Sequence, residues 1–167
     1  MARSAESLSG LYARTESGRY VVASDDRIIE VARDIAGLRT RRGDPLSEPA
    51  MAMELFRQKL GGLEREVFAA VFLDTRHRLI EYQELFHGTI DGAEVHPREV
   101  VRQALRCNAA ALIVAHNHPS GAPDPSPADR AVTARLKQAL ALVDIRLLDH
   151  ILVAGLQVRS LARLGWV

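Results

Sequence analysis

The sequence predicts an α+β fold: a mixed β-sheet flanked by helices, with a short helical N-terminal extension. Three observations carry that reading. Residues 66–74 and 110–115 are near-continuous apolar runs of strand length, as expected of strands buried on both faces. Helical periodicity begins at Pro97 and again at Ser126-Pro127. Strands and helices also mix without regular alternation, which argues against a doubly wound parallel sheet. With 167 residues, the chain is long enough for one domain with a proper core.

Residues 1–24 are rich in Ser, Gly and Arg and read as an arm, part of it mobile, with a strand-like stretch only at residues 20–23. Asp25 or Asp26 is placed to cap a helix with Ile28, Ile29, Val31, Ala32, Ile35 and Leu38 on one broad face. The cluster Arg39, Arg41 and Arg42 follows. A solvated helix end explains these cations better than a phosphate-binding patch, because positive charge favours the helix C-terminus. Ser47 opens a second helical pattern with Ala50, Met51, Leu55, Phe56 and Leu60 as its apolar side. Met51 and Met53 are read as core filling, and Gly61-Gly62 as the stop. On this basis residues 1–62 form an arm with accessory helices, and residues 63–167 form the principal domain.

Residues 66–74 are expected to be a central strand and 75–78 a polar turn. Residues 79–89 are the hairpin partner, with Ile80, Tyr82 and Phe86 on one face. Pro97 opens a helix with Val100, Val101, Ala104 and Leu105 inward. Cys107, near its end, reads as a buried inert thiol, since nothing local lowers its pKa. After the strand at 110–115 and a proline loop, the helix from Pro127 carries Ala131, Val132, Arg135, Leu136, Ala139, Leu140 and Val143. Residues 145–148 and 150–154 are β-rich, and Gly155 turns the chain into Gln157-Val158. Ser160 is positioned to cap a last short helix, with Trp166 on the core edge.

The chemistry concentrates in Ala115-His116-Asn117-His118-Pro119-Ser120-Gly121 and its tail Pro125-Ser126-Pro127-Ala128-Asp129. Alternate residues of a strand share a face, so His116 and His118 can aim both imidazoles at one point if the extended course persists. Prolines and Gly121 force a stiff, non-helical loop. Ser126 at the N-cap, Pro127 at the first helical position and Asp129 at the third make a helix start. Two neutral imidazoles and one carboxylate are a three-ligand set for zinc, with a fourth position for water, the pattern of catalytic sites. Isolated histidines at a strand end are more often hydrogen-bonded structural residues. Two at strand spacing with a downstream carboxylate are better explained as ligands. Asp129 also has a structural reading, since Ser-x-x-Asp resembles a capping box. The readings are compatible: the helix dipole keeps the carboxylate ionised, as a ligand must be.

His-x-His-Pro, six residues, then Ser-x-x-Asp resembles the metal motif of the JAMM (MPN-plus) metallopeptidase domain. The wider text, HPREVVRQALRCNAAALIVAHNHPSG followed by PSPADRAVTARLKQALALVDIRLLDHILVAG, resembles the RadC family, with the likeness running from about Leu63 to Gly155. The resemblance implies a curved mixed sheet with helices on either side, of cytidine-deaminase-like architecture. It also implies His116, His118 and Asp129 as metal ligands, and Ser126 as a group holding the polarised carbonyl. Peptide or isopeptide bonds would be the substrates.

A metal-activated water needs a nearby carboxylate base. Glu64, Glu66, Glu81, Glu84, Glu94 and Glu99 are candidates, and periodicity does not choose among them. In JAMM domains the acid lies at the start of the domain's first apolar strand, which is the place of Glu66; its bland reading is a strand-end ion pair with Arg65 or Arg98. Asn117 should point to the opposite face and stiffen the loop by hydrogen bonding. His96-Pro97 and Asp149-His150 also match RadC text; they read as a helix cap and a polar strand pair, either of which can bond a ligand from behind.

The expected function is therefore a zinc-dependent hydrolase of peptide or isopeptide bonds. The alternative is a non-catalytic metal-binding interaction module attached to DNA repair machinery. RadC proteins often carry an N-terminal helix-hairpin-helix unit, and the arm contains no clear hairpin of that sort. The net charge of +1 gives no support for a large nucleic-acid footprint. The single cysteine excludes an internal disulfide framework and agrees with a reducing compartment. No apolar run approaches membrane-spanning length, and MARSAESLSG lacks the apolar centre of a signal peptide. A cytoplasmic enzyme with a protein or peptide substrate and no membrane partner is expected.

Overall fold

Two apolar runs make the centre of the molecule. In the computed structural model, which describes residues 11–39, 43–46, 48–88 and 94–167, they are β3 (Val67–Leu73) and β5 (Ala111–Asn117). The strands pair antiparallel with Phe68 opposite His116, and every residue of both is buried. β4 (Leu79–His87) pairs antiparallel on the outer side of β3. On the other side of β5 lies β6 (Arg146–Ala154), parallel to it, and then β7 (Gln157–Ser160), antiparallel to β6. The order β4-β3-β5-β6-β7 is a mixed sheet, as the irregular mixing of elements predicts.

Strand alternation divides the core in two. Ile113 and Ala115 of β5, Ala69 and Val71 of β3, and Ile151 and Val153 of β6 pack against Leu55, Phe56 and Leu60 of α2 (Pro49–Leu60). Leu112 and Val114, with Phe68, Ala70 and Phe72, face the other way. They meet Val100 and Ala104 of α3 (Pro97–Arg106) and Leu136 and Leu140 of α4 (Pro127–Ala141). The prolines at the first position of these helices fit because the first turn has no use for their missing N–H. α2 thus packs on one face of the sheet, mainly against β5, β6 and β7.

Several face assignments differ from expectation. β4 carries irregularities opposite Phe72/Leu73 and Phe68/Ala69. An extra residue at each switches the side-chain alternation. Tyr82 therefore packs on Phe56 on the α2 side, while Ile80 and Phe86 join the α3 side, so the three do not share a face. Leu105 of α3 is 55% exposed, and the buried place falls to Gln103. Met51 is exposed as well, with only Met53 packed against the core. On α4, Ala131 and Arg135 are exposed and Thr133 is fully buried.

At the N-terminal side, β1 (Tyr12–Arg14) and β2 (Tyr20–Val22) form a two-stranded antiparallel hairpin, so the strand expected near Tyr20 has a partner the sequence did not suggest. The helix α1 (Asp25–Arg39) is capped by Ser24, whose Oγ accepts from the Arg27 N–H at 3.3 Å, and not by Asp25 or Asp26. Ile29, Val31 and Ala32 are exposed and Ile28 half-buried, so the broad apolar face remains largely open. The side chains of Ile35, Leu38 and Arg39, and residues Arg41, Arg42, Ser47 and Thr89, lie outside the described residues. No helix among the described residues is long and apolar enough to cross a membrane. At the other end, Ser160 accepts from the Arg163 N–H at 3.2 Å beside a short 3-10 turn at Ala162–Leu164. The Trp166 ring lies under the Arg130 guanidinium at 5.4 Å.

Phe56 has no exposed surface and joins α2 to the sheet. Phe56→Ala should cost about 3–5 kcal/mol, the usual range for emptying a core aromatic site. Leu105→Ala should move stability by no more than about 0.5 kcal/mol, as at other exposed positions. Urea unfolding of the two variants measures both. Equal losses would mean the faces of α2 and α3 are wrongly assigned.

Candidate metal centre

β5 delivers His116 by parity. Its even-numbered residues face α3 and α4, and His116 continues that row after Leu112 and Val114. The extended course does persist: the His118 N–H donates to Val153 O at 2.8 Å, prolonging the ladder with β6. The chain then turns sharply, with Gly121 at φ +75° donating its N–H to His118 O at 3.0 Å. It returns to the same face of the sheet as α4, whose first turn carries Asp129.

The three side chains meet. Nε2 of His116 lies 3.1 Å from Nε2 of His118 and 3.1 Å from Oδ1 of Asp129. Nε2 of His118 lies 3.7 Å from Oδ2 of Asp129. Metal–nitrogen distances near 2.0–2.1 Å at tetrahedral angles separate donor atoms by about 3.3 Å, so the group could hold a metal ion with little movement. The His118 ring is already oriented for this. Its Nδ1 is 2.9 Å from Ala122 O, and a carbonyl only accepts, so Nδ1 carries the proton and the Nε2 lone pair points into the cluster. Among the described residues this is the one such group of His, Cys, Asp and Glu.

Asp129 is held by Ser126. The Ser126 backbone N–H and hydroxyl both donate to Oδ2, at 2.6 and 2.7 Å, and Ser126 Oγ accepts from the Asp129 N–H at 3.2 Å. This is a complete capping box, and it commits the serine proton to the carboxylate. Burial pushes the Asp129 carboxyl up, but the neighbouring His116 and the Ser126 donors outweigh it and hold the group well below the usual carboxylate range. It is therefore ionised at neutral pH, the state a ligand needs.

Behind the cluster lies a chain that sequence reading only partly anticipated. His116 Nδ1 is 2.8 Å from His150 Nε2, His150 Nδ1 is 2.6 Å from Thr133 Oγ1, and that hydroxyl donates to Asp129 O at 2.6 Å. His150 has no exposed surface and packs against the Phe68 ring at 5.6 Å. Burial drives its pKa well below the ordinary histidine value, with His116 adding to the effect, so the ring is neutral. Its neighbour Asp149 points to the other face and accepts from Ser160 Oγ and from the His150 and Ala162 N–H groups. Thr133 is polar and so carries no signal in the apolar pattern of α4. Asp129, Thr133, Leu136 and Leu140, at spacings of four, three and four, make one helix face, and that periodicity was available.

Glu66 immediately precedes β3 and is half-buried, its carbonyl accepting from the Gly88 N–H at 2.8 Å. Strand alternation puts it on the face of Phe68, which is paired with His116. The other candidates lie elsewhere. Glu81 bonds Gln103 and Arg106 of α3, and Glu99 pairs with Arg98 and Arg102 on the surface of that helix. Glu64 and Glu84 line a cleft of about 430 Å³ with Val67 on the opposite side of the sheet, and Glu94 is 85% exposed. Asn117 does point away from the His116–His118–Asp129 cluster, but its bonds do not stiffen the proline loop. Its Oδ1 accepts from the Val67 N–H at 2.8 Å, and its Nδ2 donates to Arg65 O at 3.0 Å and Leu63 O at 3.4 Å. It thus fastens the backbone on both sides of Glu66. His96 occupies the N-cap position of α3 without a capping bond, its ring edge-on to Phe86 at 6.1 Å. Cys107 is half-buried, and burial raises its pKa, as expected of an inert thiol.

Comparisons with known proteins bear on the family of the chain. A UPF0758 protein of Xanthomonas campestris pv. campestris is 62% identical over 126 residues, covering 75% of this chain and 56% of the relative. A UPF0758 protein of Marinobacter nauticus is 57% identical over 137 residues, 82% of this chain and 61% of the relative. One from Vibrio cholerae is 53% identical over 145 residues, 87% of this chain and 91% of the relative. The chain thus spans little more than half of the first of these and nearly all of the last. A family model described as RadC-like JAB domain matches residues 46–166, from just before α2 through the last turn. The chain belongs to the family of RadC-like JAB domains.

Proposed function

We propose that the chain is a zinc-dependent hydrolase of peptide or isopeptide bonds. The observation that carries this is the convergence of two Nε2 atoms and one carboxylate at separations of 3.1–3.7 Å, on a family background that includes metal-dependent hydrolases. Two imidazoles and one carboxylate suit zinc and leave one coordination position for reactants. Zinc held there supplies Lewis acidity, polarising a carbonyl and acidifying water.

The chain's own residues do the rest. His116 and His118 present ring nitrogens as donors, and Asp129 an ionised oxygen. Ser126 holds Asp129 by two donated bonds, so a part for its hydroxyl in steadying a developing oxyanion requires exchanging one of them. Glu66, on the His116 face and fastened from behind by Asn117, is the base that takes a proton from water and returns it to the leaving amine. Protein or peptide is the substrate, and the single cysteine suits a reducing cytoplasm.

Protein purified without chelator should contain about one zinc per chain, and His118→Ala should contain far less, by elemental analysis. Equal zinc in the two would remove the site. Glu66→Gln keeps size and a hydrogen bond but not the basicity. Zinc content and melting temperature should stay near wild type, while peptide-library cleavage falls by roughly 10²–10⁴-fold. Asp129→Ala should lose zinc and activity together. Full turnover in Glu66→Gln would place the base elsewhere, and zinc retention without cleavage of any library would leave a metal-binding interaction module.

A further inference from the structure

We propose that Thr133, acting through His150, is a positioning residue that keeps a proton on Nδ1 of His116 and so keeps the His116 Nε2 lone pair turned toward His118 and Asp129. This rests on the metal-site reading above and adds to it the device that sets one ligand's tautomer.

The argument follows single protons. A threonine hydroxyl has one, and Thr133 gives it to Asp129 O, the carbonyl one helical turn earlier. Its remaining contact, with His150 Nδ1 at 2.6 Å, is then one in which the hydroxyl accepts, so Nδ1 of His150 carries the ring's proton. His150 is wholly buried with only a hydroxyl and an imidazole bonded to its ring, a setting that favours the neutral form, and a neutral ring has only one. Its Nε2 is consequently an acceptor, and the 2.8 Å contact must be donated by His116 Nδ1–H. That leaves Nε2 of His116 as the atom with the free lone pair, and it is the atom at the cluster. Metal-bound histidines usually donate their second N–H to a carboxylate or a backbone carbonyl, as His118 does to Ala122 O. For His116 no such fixed acceptor serves; a neutral imidazole does, and an imidazole can face either way. The direction is decided one residue further back, by a hydroxyl whose own proton is spoken for by the helix.

Thr133→Val keeps the shape and removes the acceptor. His150 then has no reason to protonate Nδ1, and its proton should move to Nε2, where it opposes a proton on His116 Nδ1. In metal-free protein, imidazole ¹⁵N–¹H correlation spectra should find the His150 proton on Nδ1 in wild type and on Nε2 in Thr133→Val. Zinc affinity by chelator competition should fall by about 10–100-fold, the usual effect of losing such a support. Thr133→Ser keeps the hydroxyl and should restore both readouts, even if packing loss lowers its melting temperature. Wild-type tautomer and affinity in Thr133→Val would overturn the proposal. So would weakened zinc binding with the His150 proton still on Nδ1, since that is a packing defect. Wild-type protein with the stated tautomers but no zinc affinity would support the relay and overturn the metal reading alone.

Discussion

Ser126 donates its backbone N–H and its hydroxyl to one oxygen of Asp129, and those two bonds set both where α4 begins and where its first carboxylate points. Everything at the cluster depends on that helix start. Each helical residue turns the chain by about 100°, so a start one residue earlier or later would carry Asp129 off the His116 face. Pro127 helps to prevent the slip, since it lacks the N–H needed deeper in a helix and suits the first position. The positive end of the helix dipole favours the ionised carboxylate, so the local structural interest and the ligand role coincide.

The sheet supplies the other half. β5 is covered on both faces and paired on both edges, so its parity cannot slip without turning a full row of apolar side chains to the wrong core. His116 and His118 inherit that parity. Both stand where β5 ends beside a parallel neighbour, the end at which ligand sites of parallel strand pairs open. The odd row continues into Asn117, which turns its amide to the segment at 63–67 and fastens the approach to β3. One dipeptide step thus sends a candidate metal ligand to one side and a brace for the backbone around Glu66 to the other.

Most elements were legible because their signals are local. The strands β3 and β5 follow from unbroken apolar runs, and the starts of α3 and α4 from proline at the first helical position. The convergence of His116, His118 and Asp129 was legible too, because strand parity and a capped helix start are short-range rules. What escaped shows where such rules stop. The two irregularities in β4 moved Tyr82 to the α2 face, and no turn residue or composition shift marks them. The apolar side chain of Leu105 predicts an inward place, but Gln103 holds the buried position beside Glu81. Local pattern offers Asn117 only the loop as a partner, because a residue 50 positions earlier is out of its reach.

The sequence by itself determined the class of fold, the strand that carries the histidines and the helix start that carries the carboxylate. Each is a matter of periodicity, capping or chain stiffness within about a dozen residues. Only the tertiary structure decided what stands behind and beside those ligands. Thr133 and His150 are 17 positions apart, and His116 and His150 are 34 apart, yet they form one line of hydrogen bonds. They meet because β6 returns parallel to β5 while α4 crosses over both, and that pairing is enforced by burial of two apolar faces at once, a property of the assembled sheet that no single segment contains.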